Sequence, residues 1–227
     1  MANLADNPVW AALSSYQGYF NQGGPALKYF PPDVSPFVGM EKWDREDIRV
    51  LMADLPADRA FSVMIAKEVQ LPAELEMVFT CPLYQMECRG EPENPAGPIG
   101  ICQLGYADLA QALELTGLTK PGPFFARTLE MGHYYGIYEN GQLAAMAGER
   151  LRMPGFTEIS AICTHPIFLG KGYASLLTAY VARQIFDEGS RPILHVRTDN
   201  LRAIGVYQRV GFEVRTDVFF AIFRKRN

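Results

Sequence analysis

The sequence predicts an α/β protein with a mixed sheet, preceded by a smaller α/β N-terminal domain, and three observations carry that prediction. Short apolar, strand-like runs alternate with amphipathic, helix-like runs from about residue 99 onward. The pair Asn140-Gly141 lies between two such runs and is a strong hairpin signal. A hairpin among strand–helix–strand units makes neighbouring strands antiparallel, so a doubly wound nucleotide-binding sheet is disfavoured.

Each element follows from local pattern. In the first half we read a helix near 8–17, irregular chain through Pro31, Pro32 and Pro36, and a helix near 43–55. Asp44 with Asp47 gives that second helix an imperfect capping pattern. Strands near 59–66 and 75–89 follow. Gly90-Glu91-Pro92-Glu93-Asn94-Pro95-Ala96-Gly97-Pro98 suits neither a helix interior nor a central strand. We therefore expect an N-terminal domain over residues 1–95 and a second domain over 96–227.

Beyond this break, Ile99–Leu104 reads as a strand and Tyr106–Leu118 as a helix, with Leu109, Ala110, Leu113 and Leu118 on one side. Thr119-Lys120-Pro121-Gly122-Pro123 stops that helix. Tyr134–Tyr138 and Gln142–Arg152 flank the hairpin turn, and Pro154-Gly155 turns the chain into a strand at Thr157–Cys163. A helix from Tyr173 to Asp187 shows Tyr173, Leu176, Leu177, Tyr180, Val181 and Ile185 at helical spacing. Ile193–Val196 is a short strand, Leu201–Val210 a helix and Glu213–Phe223 a last strand.

Composition narrows the function. Residues 1–100 hold 7 Lys/Arg against 14 Asp/Glu, a charge of −7; the remainder hold 14 against 11, a charge of +3. A nucleic-acid binder would be more basic, whereas the basic half suits an anionic cofactor. The acidic half is expected to wall an acceptor site and attract a cationic amine. No apolar run approaches a membrane span, and the first residues lack a signal-peptide layout. Cys81, Cys88, Cys102 and Cys163 are scattered without a Cys-x-x-Cys pair, so neither a zinc site nor a disulfide framework is expected. A soluble, cytoplasmic protein is the resulting expectation.

The informative segment is Thr164-His165-Pro166-Ile167-Phe168-Leu169-Gly170-Lys171-Gly172-Tyr173-Ala174. A strand ends, the chain turns at Pro166, and two glycines precede a helix. Glycines let backbone N–H groups approach a ligand, and the helix N-terminus adds unpaired donors with partial positive charge. Alone, this is equally a tight strand-to-helix turn. The P-loop ending and the third glycine of a dinucleotide fingerprint are both missing.

The segment resembles the acetyl-CoA loop, Arg/Gln-x-x-Gly-x-Gly/Ala, of the GNAT superfamily of N-acetyltransferases. Downstream, Asn200-Leu201-Arg202-Ala203-Ile204-Gly205-Val206-Tyr207-Gln208-Arg209-Val210-Gly211-Phe212 is similar to that family's second signature. The resemblance covers about residues 100–227 and implies a GNAT-like acyl-CoA N-acyltransferase fold with acetyl-CoA as co-substrate and no metal. It implies acetyl transfer to a primary amine of a small molecule, amino acid or peptide N-terminus. A non-catalytic acyl-CoA-binding or sensing module is the alternative.

The resemblance also implies roles. Cofactor contacts fall on Leu169, Gly170, Lys171, Gly172, Tyr173 and Ala174, on Asn200 and Ala203, and on the backbone amides of Ile162, Cys163 and Thr164. The motif's usual Arg or Gln is Leu169 here, so backbone amides and Lys171 are expected to carry more of the diphosphate. Glu158 lies where histone acetyltransferases of the family carry their glutamate. A carboxylate in an apolar strand should have a raised pKa and suit a base. It is equally a strand-end glutamate paired with Arg152. Tyr207 matches the family's general acid, or is a core tyrosine. Asn200 caps the next helix in either reading. His195 faces the reaction gap or is a satisfied sheet histidine, and His165 sits on the phosphate side. Glu149 and Arg150 read as acceptor-site residues or as an exposed pair. Cys163 reads as a buried thiol.

Overall fold

The computed structural model of the chain describes residues 3–43, 51, 53–67, 69–92 and 100–226. Most of the helix expected near 43–55, with its Asp44/Asp47 start, and of the Pro/Gly break lie outside the described residues.

Pro8 needs no N–H in a first helical turn and opens α1 (Pro8–Leu13). Beyond it, β1 (Leu27–Tyr29) and β2 (Val38–Met40) form a small antiparallel pair. The main sheet collects β3 (Phe61–Ile65), β4 (Leu75–Cys88), β5 (Ile101–Leu104), β6 (Tyr134–Glu139), β7 (Gln142–Met153), β8 (Phe156–Thr164), β9 (Arg191–Arg197) and β10 (Phe212–Lys225). Three helices join these strands: α2 (Leu109–Thr119), α3 (Tyr173–Asp187) and α4 (Leu201–Arg209). The strand order is β3-β10-β4-β9-β8-β7-β6-β5. All neighbours are antiparallel except β8 and β9, so the sheet is mixed as predicted. The β6–β7 hairpin turns on Asn140 and Gly141, both at positive φ (51° and 81°), the conformation that an Asn-Gly turn supplies at low cost.

The long N-terminal strand β4 hydrogen-bonds β10 on one side and β9 on the other. Strands from both sides of the Pro/Gly break thus share one sheet. Alternate residues send their side chains to opposite faces. Leu194, Val196, Ile159 and Met86 pack against Leu177, Val181 and Ile185 of α3. Ile193, Leu83 and Leu151 pack against Val9, Ala12 and Leu13 of α1 on the other face. Met146, Ala161 and Cys163 meet α2 on that same second face. Here the structure corrects the sequence. Helix α2 docks through Ala112, Leu115 and Thr116, while Leu113 and Leu118, expected inward, are exposed. Contact with β7 and β8, not the count of apolar residues, selects the buried side.

Candidate active site

The parallel pairing of β8 with β9 runs only from Phe156↔Arg191 to Ile159↔Leu194. Beyond it the strands part, and β8 carries a bulge on its β7 side, where the register jumps from Gly148↔Ser160 to Met146↔Cys163. Ala161 takes φ +53° there, a left-handed conformation uncommon for a residue with a β-carbon. A bulge re-aims the backbone and ends local pairing. Residues 160–164 therefore present backbone groups to the opening instead of to β9.

A cleft of about 510 Å³ passes through this opening. Ile162, Cys163 and Thr164 line it from β8, and His195, Val196 and Arg197 from β9. Asn200, Ala203 and Tyr207 line it from α4. The first half contributes Phe37, Met64, Phe79, Cys81 and Leu83. The hydroxyl oxygen of Thr164 is buried without a hydrogen-bond partner among the described residues. Such an orphan at a cleft wall fits a ligand that completes it.

On the α3/α4 face, a second cavity of about 250 Å³ is lined by Leu169, Gly170, Gly172, Tyr173 and Ala174. Gly170 (φ +84°) and Gly172 (φ +81°) are in the left-handed region, and a β-carbon built on either meets nothing within 4 Å. The bare backbone thus faces open space directly before the first turn of α3, whose N–H groups lack intrahelical acceptors. This cradle fits a diphosphate. Lys171 contributes less than expected. Its ammonium is held by Glu139 at 2.9 Å, with the Tyr173 hydroxyl also on that carboxylate. Two cations that sequence reasoning missed line the cavity instead: Arg202 and Arg209 of α4. Neither has an ion-pair partner among the described residues. Their spacing of seven along a helix is the signal that sets both on one face.

Asn200 caps α4 by accepting the Ala203 N–H at 3.2 Å. Tyr207 is buried on the cleft wall, and burial pushes its phenol up to about 12, so it keeps its proton at neutral pH. Burial likewise pushes the Cys163 thiol up to about 11, which leaves it a poor nucleophile. His165 lies outside the reaction gap and accepts the Ile167 N–H in its own turn.

On the face covered by α1 and α2, five adjacent strands carry a continuous polar ladder. Arg150 donates two hydrogen bonds to Glu158, at 2.8 and 2.5 Å. The other end of the ladder begins at Arg215, which contacts the Gln85 side chain and reaches Asp6 at 2.5 Å. Arginine only donates, so the Gln85 atom it meets is the carbonyl oxygen. The Gln85 amide then donates to the Ala5 carbonyl at 2.7 Å and to His195 Nε2 at 2.9 Å. His195 must use Nδ1–H toward Glu158, 2.7 Å away. The ladder therefore selects one tautomer of His195.

Glu158 is fully buried. Burial alone would raise its pKa, but the charge and hydrogen bonds of Arg150, with the bond from His195, hold the carboxyl well below the usual range. The raised pKa expected from an apolar strand is overturned because the strand face is polar. Its partner is Arg150, not Arg152, which reaches Glu188 and Glu149. Glu149 and Arg150 are buried, not an exposed pair. The described residues do not put the expected acidic wall on the cleft. The cleft lining carries Lys120, Arg150, Arg197 and Arg202 and no Asp or Glu among the described residues. Net charge of a segment does not say which side chains face a cavity. Among the described residues no group of three His, Cys, Asp or Glu could hold a metal. No helix of the described residues is long and apolar enough to cross a membrane.

Known proteins share this arrangement. The family described as FR47-like protein matches residues 134–221. The N-alpha-acetyltransferase RimI of Mycobacterium tuberculosis is 33% identical over 51% of this chain and 79% of its own length. A putative GNAT-family acetyltransferase from Novosphingobium aromaticivorans superposes with a TM-score of 0.92 at 28% identity, over all of both chains. A GCN5-related N-acetyltransferase from Kribbella flavida shares the fold at 21% identity and a TM-score of 0.63, over 96% of each chain. With its parted strands, glycine loop and capped tyrosine helix, the chain belongs to the GNAT family of N-acetyltransferases.

Proposed function

We propose that the protein transfers an acetyl group from acetyl-CoA to the primary amine of an amino acid, a peptide N-terminus or another small molecule. The observation that carries this reading is the cleft through the sheet. Tyr207 lies on its helix side, and Arg150 and His195 lie on the other. RimI, a relative of this chain, is named for acetylating an α-amine. Acetyl-CoA, when bound, supplies an electrophilic thioester carbonyl.

The residues divide the remaining work. The loop Leu169–Ala174 and the first turn of α3 hold the diphosphate, with Arg202 and Arg209 adding charge. Backbone amides of Ile162, Cys163 and Thr164 donate to the pantetheine and to the thioester oxygen. The amine nitrogen attacks, a C–N bond forms as the C–S bond breaks, Tyr207 gives its proton to the departing thiolate, and the proton that the nitrogen then sheds passes through water to restore the phenol. An ammonium in this cation-lined, partly apolar cleft is disfavoured, so the amine yields its proton to water on entry. Glu158 is then a positioning residue, fixing Arg150 and His195, and not the base.

The test is release of CoA thiol with candidate amines. Tyr207→Phe keeps the ring's packing and should bind acetyl-CoA as tightly as wild type. Its kcat should fall by roughly 10²-fold, the low end for general acid catalysis. Wild-type turnover in this variant would assign Tyr207 to the core alone. Tight acetyl-CoA binding with no thiol release for any amine would instead favour a sensing module.

A further inference from the structure

The acceptor end of the cleft has a chemistry of its own. Of the four Lys/Arg side chains on the lining, two are accounted for. Arg202 also lines the glycine-loop cavity, and Arg197 is chelated by Asp199 at 3.0 and 2.6 Å. The other two, Arg150 and Lys120, belong to the face opposite α3 and α4. Nε and Nη2 of Arg150 are committed to Glu158, which fixes the plane of the guanidinium over the Phe37 ring, 4.8 Å away. Its Nη1 has no partner among the described residues, and lies 3.8 Å from where a β-carbon of Gly122, another lining residue, would sit. Lys120 caps the end of α2 in a left-handed conformation (φ +49°) and has no ion pair among the described residues.

Around these two donors the wall is apolar, formed by Phe37, Met64, Phe79, Leu83 and Phe220. A cationic acceptor such as a polyamine or a lysine side chain would lose its hydration there and meet no carboxylate among the described residues in return. A carboxylate would meet one guanidinium edge already oriented by Glu158 and one ammonium. The geometry points to an α-amino acid with a large apolar side chain as the acceptor, its carboxylate on Arg150 Nη1 and Lys120. This inference rests on the transferase reading above and names its substrate class. Peptide N-termini have a carbonyl in that place but not the charge.

The full-length protein tests it with L-phenylalanine, phenylalaninamide, phenethylamine, the dipeptide Phe-Gly and spermidine, each with acetyl-CoA. We expect kcat/KM for phenylalanine to exceed that of its amide, phenethylamine and the dipeptide by at least tenfold, and spermidine to be inert. Lys120→Asn removes the charge while suiting a left-handed backbone, and should lower the phenylalanine-to-amide ratio at least threefold. A ratio near one, or a dipeptide or spermidine preferred over phenylalanine, overturns the assignment. Calorimetry on CoA-loaded protein separates the two readings. Tighter binding of phenylalanine than of its amide without thiol release would overturn the transferase reading alone. Turnover of both with equal binding would overturn the carboxylate site alone.

Discussion

Replacing Glu158 by Gln keeps the side chain's shape and removes its charge, while Arg150 keeps its own. The Arg150 side chain is 8% exposed and that of Glu158 0%, so water cannot replace the lost partner. Breaking a buried pair in this way costs about 3–5 kcal/mol. Against a domain stability of about 5–15 kcal/mol, that is a large share. Urea unfolding at pH 7 measures it, with the midpoint falling at unchanged slope. The pH dependence carries a sign. The folded pKa of Glu158 lies below its unfolded value of about 4.3. Its contribution is therefore complete above that unfolded value and is lost as pH falls through the folded one. Glu158→Gln should remove this part of the acid limb. Arg150→Met with Glu158→Leu should recover much of the loss, because an apolar pair leaves no stranded charge. A cost under about 1 kcal/mol, typical of a surface pair, would refute the buried-ladder argument. So would a double variant as unstable as the sum of the singles.

Two further predictions concern the coenzyme. Gly172→Val forces a branched side chain into a left-handed position facing the cavity, and should weaken acetyl-CoA binding more than tenfold, over about 1.4 kcal/mol, by calorimetry; unchanged affinity would remove the loop from the site. Arg202→Ala with Arg209→Ala should weaken it at least tenfold at low ionic strength and flatten its salt dependence, whereas Lys171→Ala, already paired with Glu139, should do little.

What the sequence made legible was local. The glycine loop, the Asn200 cap and Tyr207 lie within single stretches whose spacing sets their geometry, and each lines the cleft or its neighbouring cavity. The ladder was illegible for two reasons. Register shifts between Glu149 and Arg152 break simple alternation in β7: parity sets Arg150 and Arg152 on one face, whereas in the structure only Arg150 reaches Glu158 and Arg152 reaches Glu149 and Glu188. Gln85 and Arg215 join His195 only because β4 inserts between β9 and β10, a pairing that no spacing rule contains. The pKa of Glu158 followed the same error, since an apolar strand in sequence has a polar face in the sheet.

That insertion also decides what a fragment can do. Cutting at residue 95 would leave 96–227 with every glycine-loop and α4 residue. Strand β4, however, is central. It hydrogen-bonds β10 from Phe212↔Cys88 to Lys225↔Leu75, and β9 from Leu83↔Arg197 to Glu87↔Ile193. Removing it exposes the inner edges of both strands and strips Met86 and Cys88 from the core beneath α3 and α4. Leu83 and α1 go from the opposite face, uncovering Ile193, Leu151 and Met153. Each fully buried large apolar side chain so exposed forfeits about 1.5–3 kcal/mol, and several together exceed the stability of an ordinary domain. We expect the fragment to show no cooperative thermal transition, to bind a hydrophobic dye and to aggregate along its open edges. Co-expression with 1–95 should restore folding and acetyl-CoA binding together, since the missing strand comes back with its partners. A lone 96–227 fragment that unfolds cooperatively with full-length affinity would show that β4 adds to a sheet already stable without it.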